Sequence, residues 1–356
     1  MTEIYREIVG CIHIHSVYSD GTGTIAEISR AAEQSGLDYI MMTDHNNLKA
    51  LKNGEEGWYG PVFTVIGYEI NDIDDSNHYL AFGLPEEVNK NLSAPEYVMR
   101  VRKEGGFGII AHPDEERTRI PEHPSYPWTA WDSKDFQGIE IWNQMSEWME
   151  GLTPWNKLWR FVNPRKSIVA PYPKTLNRWD TVNLERKVSG IGGVDAHAHK
   201  HKMFGGLIQV TIFKYKVQFK SVRTHLLVDK SYNPDLDVES TKKLLYDAIL
   251  NCRVYVSNYF NGDARGLNCR AESNTDQATL GEELILKPGT VLSLNLPGRG
   301  VIRLIRNGKP VAETEAVKKE FPIKNPGLYR FEVFRKNRAW IYTNHIRIVD
   351  ERNKLD

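Results

Sequence analysis

Cysteine is scarce in this chain: Cys11, Cys252 and Cys269 are the only three in 356 residues. None has Cys-x-x-Cys spacing, and an odd, sparse count provides no disulfide framework. It suits a reducing compartment, so the expected location is cytoplasmic. The three thiols read as small buried or half-buried residues. Net charge is missing too. Lys plus Arg and Asp plus Glu both number 46. No general basic field exists to hold nucleic acid, which leaves only a local basic groove open. No run reaches the roughly 20 apolar residues that a membrane-spanning helix needs. The N-terminal MTEIYREIVG lacks the apolar stretch of a secretory signal. A Gly-x-Ser-x-Gly elbow, a phosphate-cradling glycine loop, internal repeats and low-complexity tracts are all absent.

A composition of 40% hydrophobic and 26% charged residues is that of a soluble globular protein. The length suits one large domain plus a small one. From Ile8 to about Phe213 strand-like and helix-like patterns alternate. Apolar runs at Ile8–Ile14, Leu37–Thr43, Pro61–Tyr68, Phe107–Ala111, Gly138–Trp142 and Gly190–Val194 read as strands. Thr24-x-x-Glu27 and Ser93-x-x-Glu96 are capping boxes that open helices, closed by Gly36 and by Gly105-Gly106. Asp180–Ser189 and Val238–Asn251 also read as helical. Repeated βα units imply a parallel sheet or barrel with helices outside. The segment 113–179 is rich in Pro and Trp, as a lid or pocket wall would be, or as amphipathic helices packing around residues 145–161 would be. After Asn251 the pattern turns to short β-prone runs, Arg253–Asn258, Thr290–Leu296, Val301–Arg306, Leu328–Phe334 and Ala339–Val349, separated by turn residues. Asn307-Gly308 between two of them is a hairpin signal. The expected division is therefore 1–252 for an α/β barrel and 253–356 for a small all-β sandwich.

Five short stretches carry the chemistry: HIHSVYSDG (His13 to Gly21), TDHN (Thr43 to Asn46), IGYEI (Ile66 to Ile70), IIAHP (Ile109 to Pro113) and GGVDAHAH (Gly192 to His199). His13, His15, Asp20, His45, Glu69, His112, Asp195 and His197 all fall just after expected strands. In parallel α/β folds, that end of the sheet holds the active site. His78 is the exception, since it precedes the strand Tyr79–Leu84. Imidazoles and carboxylates are the ligands of Zn²⁺, Mn²⁺ and Fe²⁺, and gathering so many of them is costly without a cation between them. His13 and His15 share one strand face by the period of two. Arg117 and Arg119 follow the AHP motif, where an Arg could grip a phosphate bidentately or stand as a solvated loop charge. His199 and His201 read as donors behind the ligands, as substrate contacts or as surface residues, and Lys200 and Lys202 as solvated charges that would add positive potential near a phosphate. Asn143 is a candidate to shape the pocket, and His123, His225 and His345 read as structural.

In order and spacing these motifs resemble those of the polymerase-and-histidinol-phosphatase (PHP) family, from about residue 8 to 250. The resemblance implies a distorted (β/α)₇ barrel of PHP type and, as is usual in the family, a trinuclear metal centre, so two or three divalent ions (Zn, Mn or Fe) are expected. Carried over, one metal would take His13, His15, Glu69 and Asp195. A second would share Glu69 and take His78 and His112. The third would take Asp20, His45 and His197, with Asp20 placing the chain in the family branch that uses Asp there. The β-rich tail is similar to a domain that follows PHP barrels in some bacterial two-domain members.

Two metals about 4 Å apart can hold a bridging hydroxide and neutralise charge on the oxygens of an in-line displacement. The expectation is thus a metal-dependent phosphoesterase acting on a small phosphorylated metabolite or nucleotide, with Glu69, His112, Asp195 and Arg117 closest to the chemistry. Hydrolysis of a non-phosphate ester, amide or carbamate by the same centre is the alternative, and a non-catalytic accessory role is a third. The expected partner is a small molecule, with no membrane and no general nucleic-acid binding.

Overall fold

The computed structural model describes residues 5–89, 91–117, 124–203 and 208–350. Arg119 and His123, and the side chains of His201 and Lys202, lie outside the described residues.

In chain order the first part comprises β1 (Tyr5–Ile14), α1 (Ile25–Glu33), β2 (Tyr39–His45), α2 (Lys49–Lys52), β3 (Gly57–Tyr59), β4 (Val62–Ile70), β5 (Tyr79–Phe82), α3 (Ala94–Lys103) and β6 (Phe107–Ile110). There follow β7 (Gly138–Asn143), α4 (Gln144–Glu150), α5 (Lys157–Val162), α6 (Pro173–Glu185) and β8 (Ser189–Ala196). Both capping boxes form. Gly36 and Gly105, just past the two helices, take left-handed φ values of 69° and 87°.

Seven strands close a ring. β1 pairs with β2, β2 with β4, β4 with β5, β5 with β6, β6 with β7, β7 with β8, and β8 returns to β1. Every contact is parallel except the two made by β5, which runs antiparallel to both neighbours. β4 is buried along all nine residues, as a barrel strand covered on both faces must be. The regular (β/α)₇ alternation is not realised. Among the described residues no helix joins β4 to β5 or β6 to β7, and α2 has four residues. The short interval between β4 and β5 leaves no room for a crossover helix, and a reversed strand needs none. The helix expected over Asp180–Ser189 starts earlier and is α6, because Pro173 sits comfortably in the first turn and the chain is already extended by Ser189.

Next come β9 (His199–Met203), β10 (Ile208–Ile212), α7 (Tyr215–Gln218), β11 (Val222–Asp229), α8 (Val238–Leu250) and β12 (Val254–Asn258). The remaining strands are β13 (Asn268–Glu272), β14 (Gln277–Ala278), β15 (Glu283–Ile285), β16 (Val291–Arg306), β17 (Lys309–Pro322), β18 (Gly327–Arg335), β19 (Arg338–Thr343) and β20 (Ile346–Val349). They enclose a second apolar core that includes Leu292, Leu294, Phe331, Trp340 and Ile341. The Asn307-Gly308 turn joins β16 to β17 with φ of 48° and 77°, the conformation a two-residue hairpin requires. No linker separates the tail from the barrel. The first half of β1 pairs with β11, β11 with β12, and β12 with β19. All three cysteines are buried and free. Among the described residues no helix is long and apolar enough to cross a membrane.

Candidate metal centre

Ring closure brings the carboxyl ends of six strands together at one mouth. His13 lies one residue from the end of β1 and His15 just follows it, His45 ends β2, and Glu69 lies one residue from the end of β4. His112 follows β6, while Asp195 and His197 end and follow β8. The reversal of β5 resolves the exception of His78. The start of an antiparallel strand lies beside the ends of its neighbours, and Tyr79 pairs with Ile70 and Ile110. His78 therefore reaches the same mouth. Three of these residues hold left-handed backbone: His13 (φ 69°), His112 (φ 25°) and Asp195 (φ 51°). Such conformations cost on the order of 1–3 kcal/mol each in a non-glycine residue and concentrate at functional sites. At His13 the pairing with β8 shifts register, so a bulge rather than simple alternation brings His13 and His15 together.

Glu69 is the hub. Its Oε2 lies 3.2 Å from both His13 Nε2 and His15 Nε2 and 3.4 Å from His45 Nδ1. Its Oε1 lies 2.8 Å from His78 Nδ1 and 3.4 Å from His112 Nε2. Asp195 Oδ1 stands 3.5 Å from His13 Nε2 and 3.6 Å from His15 Nε2. Asp20 Oδ2 is 3.2 Å from His197 Nε2, and Asp20 Oδ1 is 3.5 Å from His15 and 3.9 Å from His45. All nine residues expected as ligands thus converge. Their donor atoms fall into four overlapping groups within 4.8 Å: His15, Asp20, His45 and His197; His13, Glu69 and His112; His13, His15 and Asp195; His45, Glu69 and His78. His15 bridges two of these groups, a sharing that the motifs alone do not reveal.

The donor set fits divalent cations. His15 Nε2, His78 Nε2 and His112 Nδ1 are buried without a hydrogen-bond partner, which is costly in a protein interior. Burial pushes His13 down, but Asp195, Glu69 and Glu140 outweigh it and hold His13 well above the ordinary imidazole value. Burial likewise opposes ionisation of Glu69, yet His13, His78 and His45 keep it well below the usual carboxylate range. Asp195 is lowered in the same way by His13 and His197. His15 is pushed down to about 3 by burial and by His197. His112 rises to about 9 because Glu115 and Glu69 overcome its burial. Carboxylates kept ionised beside imidazoles are the ligand types that bind Zn²⁺ or Mn²⁺.

Residues that the motifs did not flag support this cluster. Buried Glu140, in the middle of β7, faces His13 and the main chain of His112. Its one sequence signal is a charge inside an otherwise apolar strand. Asp44 accepts from Ser16 N, Ser16 Oγ and Ser19 Oγ, each at 2.7 Å. Buried Tyr215 Oη reaches the carbonyls of His15 (2.8 Å) and His197 (3.0 Å) and accepts from the amides of Thr22 and Gly23 at 3.2 Å. Nothing in the local sequence points to Tyr215, which comes from a separate short helix. Asn143 does not line the main cavity. It caps α4 through Ser146 N and donates to Glu140 at 2.9 Å.

Above the cluster opens a cavity of about 740 Å³. Its floor is the histidines and carboxylates, and one wall is apolar, with Met145, Trp148, Met149, Leu152 and Ile212. Of the Trp-rich segment, Trp128, Trp142 and Trp179 are buried packing, Trp148 is buried and also forms wall, and Trp155 is 97% exposed. Arg117 lines the cavity with its guanidinium against Glu115 and NH1 donating to Pro124 O at 3.2 Å. His199 also lines it, stacked 4.7 Å from His197. His225 and His345 lie away from the cluster, paired with Glu7 and Asp180.

A family model described as the PHP domain matches residues 12–144. Asp195 and His197 lie beyond that span and join the site through geometry. An uncharacterized protein of Methanocaldococcus jannaschii is 28% identical over 115 residues, covering 29% of this chain and 66% of that protein, just under two-thirds of its length. Among solved structures, a two-domain protein from Bacteroides vulgatus containing a predicted PHP-like metal-dependent phosphoesterase is 16% identical. The match has a TM-score of 0.46 and covers 96% of this chain and 95% of that one. An amidohydrolase from Chromobacterium violaceum, solved with sulfate and no metal, is 13% identical. Its TM-score is 0.32, with 53% of this chain and 87% of that one covered.

Proposed function

We propose that this chain, which carries a PHP domain over residues 12–144, is a metal-dependent phosphoesterase acting on a small phosphorylated molecule. The observation that carries the reading is the Glu69 hub, where one buried carboxylate stands within 3.4 Å of five imidazoles. In this reading His13, His15, Glu69 and Asp195 hold one cation, Glu69, His78 and His112 a second, and Asp20, His45 and His197 a third. Divalent cations held there supply charge neutralisation for phosphoryl oxygens and a nucleophile from water at neutral pH. Arg117 binds the phosphate. Its guanidinium lines the cavity, where it can grip an anion once turned from Glu115. The apolar wall excludes water and orients the leaving group.

The same wall supports a second reading, hydrolysis of a carbonyl ester, amide or carbamate with an apolar substituent, since Trp148, Met149 and Leu152 suit such a group better than a sugar. The test is a panel of phosphomonoesters and aryl carbamates with Mn²⁺- or Zn²⁺-loaded protein. Phosphate release, abolished in Glu69→Ala, is expected. Turnover of carbamates with no phosphate released from any member would replace the first reading by the second.

A further inference from the structure

Glu140 is 1% exposed and makes three polar contacts. Oε1 lies 3.0 Å from His13 Nδ1. Oε2 accepts the His112 backbone N–H at 2.7 Å and Asn143 Nδ2 at 2.9 Å. Space for the carboxylate is provided by β8. A Cβ on Gly193 would stand 1.5 Å from Oε1 and 3.1 Å from His13 Cβ. One side chain thereby ties a residue of β1 to the main chain after β6, and both tied residues have left-handed backbone.

We infer that Glu140 is the positioning residue of the metal centre: it holds the His13 proton on Nδ1 so that Nε2 presents its lone pair to the cation, and it pins the strained backbone from which His112 projects. This rests on the reading that His13 and His112 are ligands. A carboxylate has no proton to give, so His13 Nδ1 donates to it and Nε2 is left toward Glu69 and Asp195. Ligating imidazoles are fixed in this way by an outer carboxylate, and loss of that partner typically weakens metal affinity by roughly 10- to 100-fold.

Donor counting makes the inference specific. Glutamine has nearly the shape of glutamate but one acceptor end and one donor end. In Glu140→Gln, turning the donor end toward His112 N–H and Asn143 Nδ2 opposes two donors with a donor. Turning it toward His13 satisfies those two, but requires His13 Nδ1 to accept and moves the ring proton to Nε2. Either orientation spoils the site without changing its volume. Gly193→Ala is a second perturbation, which crowds Glu140 foremost and His13 Cβ more mildly. It displaces the carboxylate from the side of β8 while leaving its charge intact, at a position with no positive-φ strain.

The experiment titrates Zn²⁺ into the metal-stripped full-length protein, wild type and both variants, with metal content read by elemental analysis. Histidine ¹⁵N–¹H spectra of the zinc-loaded forms are recorded alongside, the His13 signal being assigned by its loss in His13→Gln. Weakening of zinc affinity by roughly 10- to 100-fold in both variants, with loss of the His13 Nδ1–H resonance seen in wild type, is the expected result. Should wild type and both variants take up zinc with equal affinity, Glu140 has no positioning role. A wild-type chain that takes up neither Zn²⁺ nor Mn²⁺ overturns this inference together with the reading beneath it. If Glu140→Gln does not fold, Gly193→Ala alone decides, because an unchanged affinity in that variant is sufficient to refute.

Discussion

Asp180 and Arg330, 150 residues apart, meet through two hydrogen bonds of 2.7 Å, from Nε to Oδ1 and from NH2 to Oδ2. Both side chains are buried, and His345 Nε2 lies 2.7 Å from the same Asp180 oxygen. The pair bolts α6 of the barrel to β18 of the tail.

Asp180→Ala removes the bidentate partner and leaves the buried Arg330 guanidinium with Glu332 at 2.9 Å, and about 3 kcal/mol of stability is expected to be lost at pH 7. Burial pushes Asp180 up, yet Arg330 and His345 hold it down to about 2, below its ordinary 3.8. A depressed carboxylate stabilises the fold above its unfolded value and loses that contribution as pH falls through the folded one. The difference between wild type and variant, measured by urea unfolding, is therefore full at pH 6–7 and shrinks from about pH 4 downward toward 2.

Arg117→Ala separates the two readings of the reaction. A charged hydrogen bond to phosphate is worth about 1.5–3 kcal/mol, so kcat/KM for phosphomonoesters is expected to fall on the order of 10- to 100-fold. Carbamates carry no such anion and are expected to change by less than threefold, about 0.6 kcal/mol. Steady-state kinetics on both substrate series checks this.

Leu152→Ser removes apolar surface from the cavity wall. KM for esters with an aryl group is expected to rise by roughly 10-fold, as for the loss of about one apolar contact of 1–3 kcal/mol. The rise should exceed that for a compact phosphomonoester, and a parallel KM series over leaving-group size shows whether it does.

Tyr215→Phe removes the hydroxyl that spans the carbonyls of His15 and His197 and the amides of Thr22 and Gly23. Thr22 N–H also donates to the His197 carbonyl at 3.0 Å, so the groups deprived of this partner are the His15 carbonyl and the Gly23 amide, at an expected cost of about 1–3 kcal/mol. Zinc retention after dialysis should fall as well, since one of the groups belongs to a candidate ligand. Denaturant unfolding and metal analysis of the same preparation test both.

Cation loading itself should stabilise the fold. A ligand at 100 times its Kd adds about 2.7 kcal/mol, so a melting temperature raised by Zn²⁺ or Mn²⁺ and returned by a chelator is expected. In Glu69→Ala the rise should be absent.

Much of the barrel and the cluster is legible locally. The strands ending in His13, His45, Glu69 and Asp195 are short apolar runs, and the helices at Thr24 and Ser93 announce themselves by capping boxes. β17 was not readable, because its KPVAETEAVKKEFP alternates charge with small residues and stays largely exposed, so no apolar face marks it. Thr290–Leu296 and Val301–Arg306 read as two strands although they form the single β16, whose irregularity between Asn295 and Gly300 imitates a break. Ala339–Val349 reads as one run but is split at Asn344-His345, where His345 turns inward to Asp180.

The amino-acid sequence alone determined which side chains could ligate and that most of them end strands, because strand ends and residue chemistry are properties of a few neighbouring positions. Only the tertiary structure decided that His78 belongs with them, since that depends on the direction of β5 in a closed ring. It alone also decided that Glu140 stands behind His13 and Tyr215 beneath His15, since contacts across a barrel arise from closure, which no local pattern encodes.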